Sequence, residues 1–133
     1  MKLRNMQRLL AGIGSSLALV TVFSGTSHAN TSAPNVGYGY PNSYRAVRCA
    51  QVFANRYGHY TKPIAEDGAF GPMTKQAIMK FQDAANRYWG ISLTVDGVVG
   101  KDTGQAMLNL AHNDPTLEPG LWGNCSEYLP SRY

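Results

Sequence analysis

A segment of twelve residues occurs twice in this chain, and this repetition limits the possible folds more than any other feature. The first copy runs from Asp67 to Ile78 and the second from Asp96 to Met107, and both keep the pattern D-G-x-x-G-x-x-T-x-Q-A. Repeats at this separation are typical of a duplicated supersecondary unit. The pattern predicts a tight turn that leads directly into a helix, and it predicts this unit twice.

Each conserved position of the repeat has a physical role in such a turn. The aspartate accepts hydrogen bonds from the backbone that follows it, the first glycine adopts a positive φ, and the second glycine opens the helix. The threonine lies where its hydroxyl can bond to the exposed backbone of the first helical turn. The residues assigned to these structural turns are Asp67, Gly68, Gly71, Thr74, Asp96, Gly97, Gly100 and Thr103.

Apolar side chains at helical spacing predict three helices. The first is expected from Ser43 or Tyr44 to Tyr57, the second from Pro72 to Asn86 or Tyr88, and the third from Lys101 to about Ala111. The chain is therefore predicted to be all-α, with residues 44–112 forming a small three-helix bundle with two repeat loops. Residues 30–43 predict a flexible leader and residues 113–133 an irregular tail, because both are rich in turn-forming residues and lack an apolar period.

The first 29 residues predict a secretory signal peptide. Lys2, Arg4 and Arg8 precede an apolar run, and Ser27-His28-Ala29 follows it, so cleavage is expected after Ala29. A membrane anchor is the alternative, but the run is short and interrupted by glycine and serine. We therefore expect a protein that is secreted, extracellular or cell-wall associated, with no membrane partner after cleavage.

The charge of the processed chain excludes one class of partner. Three of the twelve Lys and Arg lie in the signal peptide and no Asp or Glu does, so the net charge of +4 becomes +1 (4 − 3) after cleavage. The basic character of the chain is thus largely a targeting signal. Nucleic-acid binding is not supported by the composition.

Two cysteines, Cys49 and Cys125, lie in the processed chain. A pair of cysteines in a small secreted domain usually forms a disulfide, which would fasten the tail to the first helix. The alternative is a free catalytic thiol, which would need an activating partner. Neither cysteine has a histidine in an obvious partnership, so we predict the disulfide.

The helices and turns together resemble a known family. The residues that carry the resemblance are Val47, Gln51, Phe53, Gly58, the Asp67-Gly68 turn, Lys80-Phe81-Gln82 and the run from Val95 to Gly100. They are similar to the peptidoglycan-binding domain, a targeting module at one end of many bacterial cell-wall hydrolases. The resemblance covers roughly Tyr44 to Ala111 and implies a three-helix fold that binds the cell wall without breaking bonds. The link from Asp83 to Thr94 is a few residues longer than is usual in this family.

Aromatic residues are the main candidates for ligand contacts, because sugar rings stack on aromatic faces while their hydroxyls bond to amides and arginine. One cluster follows the first helix and another follows the second, and both could border one groove. Packing against the core is the alternative for Tyr57 and Tyr88. The candidate ligand-binding residues are Tyr57, His59, Tyr60, Gln82, Arg87, Tyr88 and Trp89.

Catalysis and metal binding find less support in the sequence. Asp67 and Asp96 occupy identical turns, where each carboxylate has a structural task, and Glu66 is the only nearby second carboxylate. His59 and His112 are the only histidines after the signal peptide, and neither belongs to a metal-binding motif. We therefore predict no catalytic residues, no metal and no cofactor.

These inferences lead to one functional prediction and two alternatives. The prediction is a secreted, monomeric, non-enzymatic bacterial module that binds peptidoglycan through its glycan or its stem peptide, with a separate cell-wall hydrolase as a further partner. The first alternative is a small cell-wall hydrolase in which Glu66 or Asp67 acts as the acid and His59 assists. The second is a secreted protein-protein interaction module on the same fold.

Overall fold

Four helices make up the regular structure of the part of the chain that can be described. The computed structural model describes residues 30–59, 62–118 and 120–133. The predicted signal peptide and Tyr60 lie outside these residues. The helices are α1 (Tyr44–Tyr57), α2 (Pro72–Tyr88), α3 (Lys101–His112) and α4 (Leu121–Ser126). The predicted all-α class and the three-helix bundle are confirmed, and α4 is an addition that the sequence did not predict.

Helix α1 lies at the centre of the bundle and packs against α2, α3 and α4. Ser43 caps it by accepting a hydrogen bond from the Ala46 N–H at 3.3 Å. Val47 and Phe53 are completely buried on its inner face. The helix ends at Tyr57 and is capped by Gly58, whose N–H bonds to the Ala54 carbonyl. Local capping and one apolar stripe therefore account for the bounds of α1.

Helices α2 and α3 each begin at the second glycine of a repeat. Gly71 and Gly100 have extended backbone and precede the first helical residue. The first glycines of the two turns have positive φ, 69° at Gly68 and 73° at Gly97. This left-handed conformation is accessible to glycine at low cost, so the duplicated pattern produces the same entry into both helices.

A buried glutamine holds each repeat turn. The side-chain nitrogen of Gln51 donates to Asp67 Oδ1, to the Ala69 carbonyl and to Thr74 Oγ1, at 3.0 to 3.1 Å. Its oxygen accepts from the Gly68 N–H at 2.8 Å. One amide therefore satisfies four groups of the turn that follows α1.

Gln82 repeats this arrangement one helix later. Its nitrogen donates to Asp96 Oδ1, the Val98 carbonyl and Thr103 Oγ1, and its oxygen accepts from the backbone of Asp96 and Gly97. An asparagine one turn further along each helix holds the connecting loop in the same way. Asn55 exchanges two hydrogen bonds with the backbone of Ile64, and Asn86 exchanges two with that of Leu93.

The segment 30–43, for which composition predicts a flexible leader, packs onto the bundle instead. Val36 is buried and pairs with Val99 through two backbone hydrogen bonds of 3.0 and 2.8 Å. The side chain of Asn42 bonds to the backbone N–H and carbonyl of Gly37 and closes the loop between them. The leader is ordered because the second repeat turn offers it a backbone partner, which no local pattern reveals.

The tail is also more ordered than its composition predicts. The predicted disulfide is present between Cys49 and Cys125, which joins α4 to α1. Leu129 and Pro130 are buried, and the Pro130 carbonyl lies so close to Gly104 that an added Cβ there would collide with it. The glycine that interrupts the α3 pattern is thus the point where the tail crosses this helix.

A small polar network joins the C-terminal end of α1 to the chain after α3. Asp114 accepts from Arg56 Nε at 2.6 Å and from the Tyr57 hydroxyl at 3.0 Å. Arg56 also bonds to Thr116. The hydrogen bond from Arg56 is the main reason that the pKa of the Asp114 carboxyl lies well below its usual range. Burial and the neighbouring carboxylate raise the pKa of Tyr57 to about 12.

The raised pKa of Tyr57 predicts a loss of stability at alkaline pH. The folded state holds this proton more tightly than the unfolded state, whose tyrosines titrate near their ordinary pKa of about 10. The stabilisation is therefore complete below about pH 10 and is lost as the pH rises towards about 12. Ultraviolet titration should show a late ionisation step, and Tyr57→Phe should remove it; a late step of unchanged size in Tyr57→Phe would contradict the assignment.

No helix among residues 30–59, 62–118 and 120–133 combines the length and apolar character needed to cross a bilayer. In the same part of the chain, no group of three or more His, Cys, Asp or Glu side chains is arranged to hold a metal ion.

Candidate ligand-binding site

Three aromatic rings gather where α1 and α2 end. The His59 ring lies 4.3 Å from that of Tyr88 and 5.6 Å from that of Trp89, measured between centroids. Tyr88 and Trp89 are 6.3 Å apart with their rings nearly perpendicular. Tyr88 is 63% exposed and Trp89 38% exposed, so the cluster presents aromatic faces to solvent.

A cleft of about 360 Å³ adjoins this cluster. It lies between the end of α1 and the outer face of α2, and its lining combines aromatic and charged side chains. The lining residues are Gly58, His59, Lys80, Asp83, Ala84, Arg87 and Tyr88. Arg87 Nε donates to Asp83 Oδ1 at 3.0 Å along the same helix, and both side chains are at least half exposed.

The helix ends place these rings together. His59 lies two residues after the end of α1 and has a left-handed backbone conformation, with φ of 53°. Trp89 caps α2 and is followed by Gly90 at φ of 63°. Because α1 and α2 pack side by side, their C-terminal aromatic residues come into contact.

The structure brings together four of the predicted ligand residues: His59, Arg87, Tyr88 and Trp89. Tyr57 lies below them, 8% exposed, with its ring edge-on to Trp89 at 6.3 Å. It belongs to the core, in agreement with the alternative interpretation of this residue. Tyr60 is not among the described residues.

Gln82 is placed differently from the prediction. Its side chain is 0% exposed and all its hydrogen bonds go to the second repeat turn. It therefore has no surface to offer a ligand, and we leave it out of the candidate site. The prediction is wrong because a polar side chain can be buried when neighbouring groups satisfy its hydrogen bonds, as the second repeat turn does for Gln82.

The carboxylate of Asp67 has the electrostatics of a structural group. Asp67 accepts from the Ala69 N–H and from Gln51, and these two bonds, in that order of importance, lower the pKa of its carboxyl. A general acid on a glycosidic bond needs the opposite shift. Glu66 accepts a hydrogen bond from the Asn55 side chain at 3.0 Å.

A second duplication extends the repeat towards the N-terminus, into the helix that precedes each turn. The run from Gln51 to Tyr57 and the run from Gln82 to Tyr88 share the pattern Q-x-x-A-N-R-Y. The glutamine and asparagine of this pattern hold the turn and the loop, as described above. The spacing of Gln and Asn, four residues in both helices, is the sequence signal that identifies Gln82 as structural.

Comparison with the models of known protein families gives a match. Residues 43–107 match the model of a family described as "Putative peptidoglycan binding domain". No curated protein and no solved structure matches the chain. The matched segment contains α1, α2, both repeat turns and the candidate cleft.

Proposed function

Residues 43–107 form a domain of the peptidoglycan-binding family, and on this premise we propose that the protein is a secreted, non-catalytic module that binds bacterial peptidoglycan. The ligand site in this proposal is the cleft lined by His59, Arg87 and Tyr88, together with the adjoining ring of Trp89. It works as a monomer, and a separately made cell-wall hydrolase is the enzyme partner that fits a wall-binding domain.

The aromatic cluster is the observation that supports this assignment most directly. Exposed aromatic faces beside an arginine and an aspartate match the chemistry of an amino sugar, whose ring has an apolar face and a polar edge. Tyr88 and His59 are close enough to form one wall, with their ring planes inclined by only 31°. A polymer that lies along this wall would contact rings and charged groups together.

Two further features support secretion. The first 29 residues have the three-part pattern of a signal peptide. Cys49 and Cys125 form a disulfide, which persists mainly in oxidising compartments. Both agree with a wall-associated location outside the cytoplasm.

The cluster predicts the effect of removing a ring. Trp89→Ala should weaken the binding of purified sacculi about tenfold, because one aromatic stacking contact and its apolar area contribute roughly 1.4 kcal/mol. The measurement is co-sedimentation of the full processed chain over a range of sacculus concentrations at moderate salt.

Tyr133→Ala is the matched control, since Tyr133 is 76% exposed and does not line the cleft. It should bind like the wild type. Wild-type protein that stays wholly in the supernatant would overturn the proposed function. Equal binding by the wild type and Trp89→Ala would instead remove the aromatic cluster from the site.

The non-catalytic part of the proposal has its own test. Sacculi incubated with the protein should release neither reducing sugar nor free amine above a protein-free blank. Release that scales with protein concentration would establish the hydrolase alternative, and its dependence on Asp67 or Glu66 would identify the acid.

A further inference from the structure

The same dipeptide ends both α1 and α2. Arg56-Tyr57 lies in the last turn of α1 and Arg87-Tyr88 in the last turn of α2. The backbone closes both helices alike, since the residue after each tyrosine donates its N–H to the carbonyl three residues before that tyrosine. The two arginine-tyrosine pairs therefore start from equivalent positions of the duplicated unit.

The first pair binds a carboxylate. Arg56 and the Tyr57 hydroxyl both donate to one oxygen of Asp114, and Arg56 also bonds to Thr116. Because Asp114 comes from a segment distant in sequence, the pair recognises a carboxylate that another part of the chain presents. The fold thus shows what an arginine-tyrosine pair at this position can hold.

The second pair is exposed and holds no such group. Arg87 bonds to Asp83 of its own helix, with side-chain exposures of 70% and 50%. Among the described residues, no carboxylate from another segment bonds to Arg87 and no hydrogen bond involves the Tyr88 hydroxyl. Val52 occupies the position in the first unit that is equivalent to Asp83, so Arg56 has no such neighbour on its own helix. The bond between Arg87 and Asp83 is local and exposed to solvent, and ion pairs of this kind are weak.

We propose that Arg87 and Tyr88 bind a free carboxylate of the peptide stem of peptidoglycan. This inference rests on the proposed function and names the part of the polymer that the cleft recognises. The planar guanidinium retains terminal N–H donors beside the Nε that bonds to Asp83, and these suit a carboxylate. The tyrosine hydroxyl supplies a further donor, as Tyr57 does in the first pair.

The surrounding groups fit a carboxylate that is attached to an apolar chain. The ring of His59 covers one side of Tyr88 at 4.3 Å and offers a flat surface to the group that bears the carboxylate. Lys80 lines the same cleft and adds positive charge. Asp83 opposes the ligand by competing for Arg87, so its charge should lower the affinity.

Three wall preparations test the inference. Sacculi stripped of wall phosphate polymers are compared with the same sacculi after their carboxyl groups have been amidated with carbodiimide and methylamine, and with glycan strands freed of peptide by an amidase. The wild type should bind the stripped sacculi and bind both other preparations about tenfold more weakly, since hydrogen bonds to a charged group are lost.

Side-chain variants separate this role from a general effect of charge. On stripped sacculi Arg87→Gln should bind about tenfold more weakly and Tyr88→Phe more weakly by a smaller factor, whereas Asp83→Asn should bind more tightly. On amidated sacculi Arg87→Gln should match the wild type. Arg48→Gln, which removes the same charge from an exposed position of α1 outside the cleft, is the control and should bind like the wild type.

The failures of the two proposals can be told apart. If the wild type binds stripped and amidated sacculi equally and Arg87→Gln does not differ from it, the carboxylate inference is overturned while peptidoglycan binding stands. If the wild type binds none of the three preparations, the proposed function itself is overturned. Because Arg87 and Asp83 are exposed, their variants should retain the wild-type unfolding midpoint, which circular dichroism verifies.

Discussion

Gln82→Leu should lower the free energy of unfolding by about 3 kcal/mol, because leucine fills the space but cannot bond to the turn. The side chain is completely buried, and it serves the backbone of Asp96, Gly97 and Val98 as well as the Thr103 hydroxyl. A buried donor or acceptor left without a partner costs roughly 1 to 3 kcal/mol. Water can reach the exposed Asp96, so the full sum of these costs is not expected.

Urea denaturation of the two proteins measures this effect directly. Met73→Leu is the control, because Met73 is 63% exposed on the same helix, and its free energy of unfolding should change by no more than about 0.5 kcal/mol. Gln51→Leu should also be destabilised, by a similar or slightly smaller amount, since Gln51 makes four of the five corresponding hydrogen bonds. A Gln82→Leu protein as stable as the control would show that the turn does not depend on this amide.

Removal of the disulfide should have an effect of similar or larger size. The Cys49→Ala/Cys125→Ala variant should lose up to about 4 kcal/mol, because the bond closes a loop between residues 76 positions apart and restricts the unfolded chain. The tail should unfold together with the bundle, since Cys125 lies in α4 and α4 packs on both α1 and α3. Thermal unfolding followed by circular dichroism measures it.

A reducing agent provides the control for this prediction. It should lower the midpoint of the wild type towards that of the double variant and leave the double variant unchanged. An unchanged wild-type midpoint under full reduction, verified by thiol titration, would mean that packing of the tail, including the buried Leu129 and Pro130, holds it in place and that the bond contributes little.

The features that the sequence predicts well are those with local causes. The repeat turns depend on a glycine with positive φ and on an aspartate that accepts a hydrogen bond from the N–H two residues later. Both requirements can be recognised within a segment of twelve residues. The bounds of α1 follow from Ser43 and Gly58 in the same way. The contact between His59 and Tyr88 depends in addition on the packing of α1 against α2, which is not local.

The features that it does not predict depend on distant parts of the chain. Val36 becomes ordered by pairing with Val99, and a leader rich in glycine and tyrosine carries no sign of that partner. Helix α4 has six residues, too few for an apolar period, and it begins after Gly120 at a positive φ of 95°. Arg56 and Arg87 have identical neighbours in sequence, yet only the first meets Asp114.

The pairing of Asn30 with Pro130 brings the two ends of the described chain side by side. The Asn30 N–H bonds to the Ser126 carbonyl, and its side chain bonds to the carbonyl of Glu127. A polypeptide joined at either end would therefore emerge from one edge of the bundle. A short linker between these ends would also close the chain into a ring, so circular permutants opened elsewhere can keep every contact of the present fold.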